Sequence, residues 1–578
     1  MFNPSHLLGI FSAFNASHFE TLDFTALAGA AQPNRLGGVV QMRPFAIKNG
    51  GADSLAQRER KVEGAELNVG PMSSQGTIRV RPNGKLLFVA SARQAYMNLL
   101  YGKWLDFDGS PLRYSFGDYN VTLSYRPSMR HRFDLNAYFG QDRASYTEGA
   151  HLMHVRLNWL NYAAEASWRV VDKMWQLTQR LVASGYQNDF RLRQAGQKMS
   201  LPSHIRQYGY QAEWNCNSWQ IGGSYSLYQI LPQSPQIEST YTLIETDRQE
   251  KGVAHEANVY AGWQYGWHDG QWALKPEGRV TYYRDVDQKN WFSISPMLTL
   301  SWQAAPQHRL GVQLSVANQY VQQTGFTSLG LPTEFWFSAS RELKPQRAEG
   351  LSLLYDGQTP NNAWAFTANA YVKRLHHQKE YKDNVFDLIN EAYSLNTSLL
   401  QGRGLNYGFG VQLTRQSGPV TGWVGYAFGR SLRKFPELRE RSSYPANHER
   451  VHEFNLVATW QALKRVTFTC SAVFASGTPF TSANEFYLMN GYVVAQYGKH
   501  NGCHLPWYKR VDMAVNVDLK QKGQRHFRHG FNVSLFNAFG FNNPLFYRLR
   551  IRRDGNFRFA PVCFLKYPLP SFSYYIKY

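Results

Sequence analysis

The tightest constraint in this sequence is an apolar side chain at every second position, recurring in segment after segment. "LNYGFGVQL" puts Leu405, Tyr407, Phe409, Val411 and Leu413 on one face and Asn406, Gly408, Gly410 and Gln412 on the other. "VYAGWQYGW" sets Val259, Ala261, Trp263, Tyr265 and Trp267 opposite Tyr260, Gly262, Gln264 and Gly266. "FNLVATW", "VTFTCSAVF", "MAVNVDL" and "WAFTANAYV" repeat the scheme. Successive side chains of an extended chain point to opposite faces, so this alternation predicts strands with one apolar face.

The connections carry a second regularity. Short turn-like breaks fall near Asn83, Ser128, Asp172, Cys216, Asp269, Ala305, Thr359, Gln416, Leu463 and Lys522. Longer polar stretches, such as 229–253, 323–344 and 478–508, lie between them. Tight turns at one end and long loops at the other are the layout of an outer-membrane barrel. Ten short turns, with the chain entering and leaving on the same side, imply about 22 strands. The strands run to about ten residues, which suits a tilted crossing of a bilayer. Strands of soluble proteins average roughly five or six. A soluble propeller would need a motif repeated in each blade, and the sequence has none. The expected fold is therefore all-β, a transmembrane antiparallel β-barrel of about 22 strands.

The chain ends "SFSYYIKY", with Phe572, Tyr574, Ile576 and Tyr578 on one side. Chain ends are usually polar and frayed. In a closed barrel the last strand pairs with the first, so an ordered aromatic end is expected. These four residues should face lipid, with Tyr578 in an interfacial aromatic girdle.

Composition narrows the function. Aromatics make up 15% of the 578 residues while hydrophobic residues make up an ordinary 43%. There is no apolar window of about 18 residues, which excludes an ordinary transmembrane helix. The start, "MFNPSHLLGIFSAFNASHF", has no Lys or Arg before Arg35 and so lacks the basic leader of a secretory signal. The formal charge of +21 is spread along the chain without a nucleic-acid-binding signature, so no nucleic acid is expected as a partner. Cys216, Cys470, Cys503 and Cys563 form neither a disulfide framework nor a zinc pattern.

Candidate chemistry is sparse. "HERVH", from His448 to His452, matches the HExxH zinc-protease pattern, which needs a helix. Here Pro445 precedes it and a strand pattern follows, and in a strand the two histidines stand about 13 Å apart. "KHNGCH" gathers His500, Cys503 and His504 in an outer loop, and His376 and His377 are adjacent; both read as incidental polar residues. No phosphate loop or nucleophile elbow occurs. Neither an enzyme, a metal nor a cofactor is expected. Arginines such as Arg439, Arg441, Arg548, Arg550, Arg552 and Arg553 would attract anions or contact lipid phosphates. Trp336 and Trp507 would stack on ring-bearing ligands or anchor the rim.

With the strands placed, several stretches resemble TonB-dependent outer-membrane receptors, particularly those of Bacteroidota. The segment running from Leu7 to Val40 is similar to the end of that family's plug domain, with Arg35, Gly37 and Gly38 in its closing turn. "KLLFVASARQAYMNLLY", with Ser91, Arg93 and Tyr96, resembles an early barrel strand. "LPTEFW", "LKPQRAEGLSLLY", "YPANHERVHEFNLVATW", "ASGTPFT", "YKRVDMAVNVDL" and "FNVSLFNAFGFNNP" resemble later strands and rims in the family's order. The resemblance implies residues 1–60 as a C-terminal remnant of the plug and residues 61–578 as the barrel. It implies an outer-membrane receptor importing a scarce siderophore-, cofactor-, glycan- or peptide-like nutrient. The implied partners are outer-membrane lipid, the nutrient, and in some relatives a lipoprotein lid. The family's TonB-contacting segment has no counterpart here. The alternative is therefore a plugless passive pore or a surface-binding barrel.

Overall fold

A computed structural model of the chain describes all residues except 8–13, 26–28, 33–34, 48–61, 103–104, 108–109, 149–152, 195–196, 234–235, 240–250, 326–333, 382–398, 437–441, 490–491, 520–526, 552–556 and 565. The described strands form a closed antiparallel barrel of 22 strands. The wall begins at Val62–Val69 and ends at Leu569–Lys577. Three short pieces, Gln236–Ser239, Tyr265–Trp267 and Tyr444–Pro445, extend their neighbours.

Nine of the ten expected tight turns lie between consecutive wall strands at one end of the barrel, and the tenth, near Lys522, lies outside the described residues. At the other end the wall strands lead into the long connections, whose described parts include 320–325, 334–345 and 476–489. Ring closure follows from strand ends. Leu67 pairs with Ile576 and Val69 with Tyr574, while Val533 pairs with Phe572 on the opposite edge. The Tyr578 amide donates to Ala65 O at 2.8 Å, so the ladder runs to the last residue. An unpaired edge in hydrocarbon would strand a row of backbone N–H and C=O groups at several kcal/mol each.

Alternation sorts the two faces. Val259 is 66% exposed on the outer face, while its neighbour Tyr260 is 2% exposed on the inner face. Phe572 is 51% exposed and stacks on Phe531 at 5.1 Å, with Tyr574 beside it. Tyr578 packs against Phe527. At the tight-turn end a run of outer aromatics, Trp263, Tyr265, Trp267, Trp272 and Trp302, stacks at 5.3–5.9 Å. Such belts hold a barrel at the height of the lipid headgroups. Inside, Asn120, Thr122 and Ser124 are buried although polar, because a different part of the chain covers them.

Candidate functional site: the occupied lumen and its outer cavity

That cover is the N-terminal segment, which runs through the lumen before the wall begins. Its first anchor is His6, whose ring bridges Asp142 at 2.9 Å and Asp118 at 3.2 Å. Both aspartates stand at inward positions of neighbouring strands, Arg113–Tyr125 and His131–Glu148. Asp118 also accepts from Arg93 Nε at 2.8 Å and from the Tyr138 hydroxyl at 3.0 Å. The Tyr114 hydroxyl donates to Asp142 at 2.6 Å and accepts from the Leu7 amide at 3.1 Å. The His6 ring stacks on Phe116 at 4.0 Å.

His18 is the second anchor. It contacts Ser91 Oγ at 2.9 Å and Thr122 Oγ1 at 3.0 Å, with no charged partner among those contacts. A hairpin follows, Phe19–Thr25 against Val39–Pro44. Arg279 Nε donates to Ala30 O at 2.8 Å within the hairpin's connection. Ile47 then packs on Leu87 and Val89 of the wall.

The two histidines respond oppositely to pH. Burial alone would depress His6, but its bonds to Asp118 and Asp142 prevail and raise it above the usual imidazole value. Burial pushes His18 down to about 4. The His6 contribution is full below about pH 6.5 and is lost as pH rises through the raised value. The His18 contribution is full above about pH 6.5 and is lost as pH falls towards about 4. The seat of the segment should therefore be firmest between two limbs. Protease accessibility of residues 1–47 across pH measures this. His6→Gln should flatten the alkaline limb and His18→Asn the acid limb; an unchanged profile in both would show that neither ring holds the segment.

Arg35, Gly37 and Gly38 sit at the hairpin's tip. The Leu36 amide donates to Gln319 Oε1 at 3.1 Å, Lys373 Nζ donates to Leu36 O at 3.3 Å, and the Arg35 guanidinium lies over Trp336 at 5.6 Å. Gly38 has φ +116°, and a Cβ there would stand 2.8 Å from Thr25 O, whereas a Cβ on Gly37 meets nothing within 4 Å. Gly38→Ala should cost about 1–3 kcal/mol of local stability. Gly37→Ala should be close to neutral, and comparing the two by hydrogen exchange at the hairpin separates backbone strain from loss of a contact surface.

Above this tip lies a cavity of about 1360 Å³, bounded by the tip, the wall and the long loops. Arg35, Lys373, Lys379, Arg433 and Arg450 line it, against the carboxylates of Glu380 and Glu453. Glu380 is already held, by the Tyr444 hydroxyl and by His500, each at 2.7 Å. Arg433 is 7% exposed and Nη1 donates to the uncharged acceptors Asn406 Oδ1 and Leu432 O. Burial, helped by Arg433, keeps His448 below its ordinary value, so it adds no charge near neutrality. The buried Gln378 Nε2 meets no acceptor among the described residues. Trp336, Tyr371, Phe435, Phe480 and Tyr547 supply ring faces. The space can take an anionic, ring-bearing molecule and desolvate part of it.

The other sequence candidates fall elsewhere. "HERVH" is irregular rather than helical up to His452, and Glu449 is consumed by the Ser431 amide at 2.5 Å and Arg430 at 3.3 Å. His452 bonds Tyr426, and Trp507 stacks on its ring. His376 lies 3.8 Å from Glu349, and His377 contacts Pro345 O. Among the described residues no three His, Cys, Asp or Glu side chains gather as a metal site. Arg439, Arg441, Arg552 and Arg553, and the side chains of Arg548 and Arg550, lie outside the described residues. Sequence reading missed His6, His18, Lys373 and Arg433. For Lys373 a signal existed: it shares the polar parity of Asn369 and Tyr371 in its strand.

Comparison with known proteins agrees with this architecture. Residues 84–543 match the TonB dependent receptor-like, beta-barrel family. The ferripyoverdine receptor of the Pseudomonas aeruginosa outer membrane, solved with ferripyoverdine, superposes with a TM-score of 0.62 at 9% identity, covering 94% of this chain and 74% of that one. The FrpB iron transporter of Neisseria meningitidis gives 0.65 at 12%, covering 97% and 87%. The siderophore receptor PiuA of Acinetobacter baumannii gives 0.65 at 10%, covering 97% and 86%. No curated protein matches the chain. A 22-strand closed wall, and a family match covering most of it, place this chain in the TonB-dependent receptor β-barrel family.

Proposed function

We propose that this protein is an outer-membrane receptor that imports a scarce anionic nutrient, with a ferric chelate as the leading class. The cavity carries the reading: its cations outnumber its carboxylates, and one of the two carboxylates is already engaged. The iron and siderophore ligands named for the structural neighbours favour the same chemistry. Residues 1–60 act as the plug portion and 61–578 as the barrel, with TonB supplying the work that moves the plug. A plugless pore finds no support, because residues 2–7 and 14–47 include the lumen's anchoring groups. Phe572, Tyr574, Ile576 and Tyr578 act as the barrel-closing signal.

Binding tests the ligand. Trp336 fluorescence should be quenched by one of a panel of ferric hydroxamate, catecholate and carboxylate chelates, and Trp336→Phe should remove the response. Arg433→Gln with Arg450→Gln should weaken that binding by about tenfold or more, as expected for charge-assisted contacts in a partly desolvated site. Quenching by neutral oligosaccharides alone would overturn the anionic reading.

A further inference from the structure

The cations of the outer cavity are not equivalent. Arg35, Arg433 and Arg450 carry guanidinium groups, which stay charged at any pH the protein meets. Lys379 carries an amine, and its surroundings single it out. It stands near the outer end of Trp364–Tyr381, whose 18 residues rise roughly 45 Å at about 3.3 Å per residue and a tilt of about 40°. The apolar band of such barrels is about 25 Å tall, so Lys379 lies above the hydrocarbon. The strand is bulged just before it. Its register shifts between His376 and Gln378, and His377 between them adopts φ +55°. Bulges re-aim side chains beside functional sites. Past this one, Gln378, Lys379, Glu380 and Tyr381 all border the cavity, where a regular strand would present every second residue.

Neutral groups alone hold the Lys379 head. Nζ donates to Gln401 Oε1 at 2.7 Å and to Lys344 O at 3.0 Å. An ammonium has three N–H donors, and the third meets no acceptor among the described residues. Of the neighbouring carboxylates, Glu380 is engaged by Tyr444 and His500. Glu342 offers Gln401 its backbone oxygen, while its side chain accepts from Ser340 Oγ at 3.5 Å. Of the other titratable neighbours, His377 contacts Pro345 O and Tyr381 packs on Phe335. Burial, reinforced by the positive charge of Lys344, pushes the Lys379 amine down to about 7. An anion within about 4–6 Å favours the charged form again.

We propose that Lys379 is the residue through which the cavity takes up a proton with each anionic ligand it binds. This rests on the anionic ligand proposed for the cavity. In the empty site the amine is mostly neutral above about pH 7. In the occupied site it is an ammonium set against the ligand's charge. The proton comes from solvent and stays on Nζ, and no other bond changes. A neutral ligand of the same shape gains nothing from it, so Lys379 selects for charge. The occupied form holds the proton more tightly than the empty form. Affinity is therefore full below about pH 6 and falls by up to about tenfold per pH unit above about pH 7.5, until the occupied amine also titrates.

Calorimetry on the full chain in detergent tests this, with a hexadentate ferric tris-catecholate as the probe. Titrations in buffers of different ionisation heat count the protons taken up. The expected count is about one at about pH 8.5 and close to zero at about pH 6. Lys379→Arg should abolish the count and level the affinity between about pH 6 and 9, because its charge is permanent. Lys379→Met should also abolish the count and weaken binding about tenfold or more at about pH 6. A lysine that only braced the loop would change the affinity when replaced and leave the count alone; Gln322 Nε2 braces the same carbonyl, Lys344 O, at 3.2 Å. Tight binding with no proton taken up, or a count that survives in both variants, would overturn the proposal. Trp336 quenching reports separately whether the probe binds at all. If it does not, the ferric-chelate reading fails for this probe, and Lys379 is judged by pulse methylation of its amine across pH, with and without pyrophosphate. A midpoint near 7 that rises with pyrophosphate is then expected, and an unmoved midpoint would overturn the proposal. Heat-modifiable migration of each variant on gels shows that the barrel is folded when binding is read.

Discussion

Asp118→Asn should open the pore. Asp118 is fully buried and is the shared acceptor of Arg93, His6 and Tyr138. Removing its charge leaves the Arg93 guanidinium buried without its carboxylate and takes one of two counter-ions from His6. Breaking one partner of a buried pair costs about 3–5 kcal/mol, because the remaining buried charge loses its main compensation without regaining water. The loss falls on the seat of the N-terminal segment and spares the wall, whose strands are held by long backbone ladders. The variant should therefore fold and insert, yet show a higher conductance in planar bilayers and faster cleavage within residues 1–47. Adding Arg93→Gln should recover part of the effect, since the cation that faced the lost carboxylate is then gone. Wild-type conductance and cleavage in Asp118→Asn would show that the segment is held by something other than this cluster.

Deletion of residues 572–578 should abolish the folded barrel. The last strand satisfies two edges at once, through Glu66–Val69 on one side and Arg528–Phe536 on the other. Without it both edges face lipid, and each unsatisfied backbone group costs several kcal/mol. That sum exceeds the usual net stability of about 5–15 kcal/mol. No heat-modifiable species should form on reconstitution into vesicles. Tyr575→Phe makes a milder comparison: it removes only the hydroxyl bonded to Asp518 at 2.5 Å and should cost about 1–2 kcal/mol. A deletion that still inserts and protects the wall from protease would show that closure does not depend on this strand.

The wall was legible from the chain alone. Side-chain parity is a local property, so the alternation in "LNYGFGVQL" already assigns Phe409 outward and Asn406 inward, with no knowledge of the neighbours. The tight turns are local too, and counting them gives 22 strands. The aromatic end announces a seam because an ordered apolar terminus needs a partner. The site is another matter. His6 meets Asp142 across 136 residues, Arg279 meets Ala30 across 249, and Lys373 meets Leu36 across 337. No periodicity links such positions, since loop closure on that scale leaves no pattern in the sequence between them. Arg35 could be placed in a turn from sequence, but only the closed barrel sets that turn beneath a basic cavity and beside Trp336. The sequence by itself determined that this chain closes into a transmembrane barrel, because strand parity and turn spacing are written residue by residue. Only the tertiary structure decided which inward side chains seat the lumenal segment and which are left to meet a ligand, because curvature, not sequence proximity, brings them together.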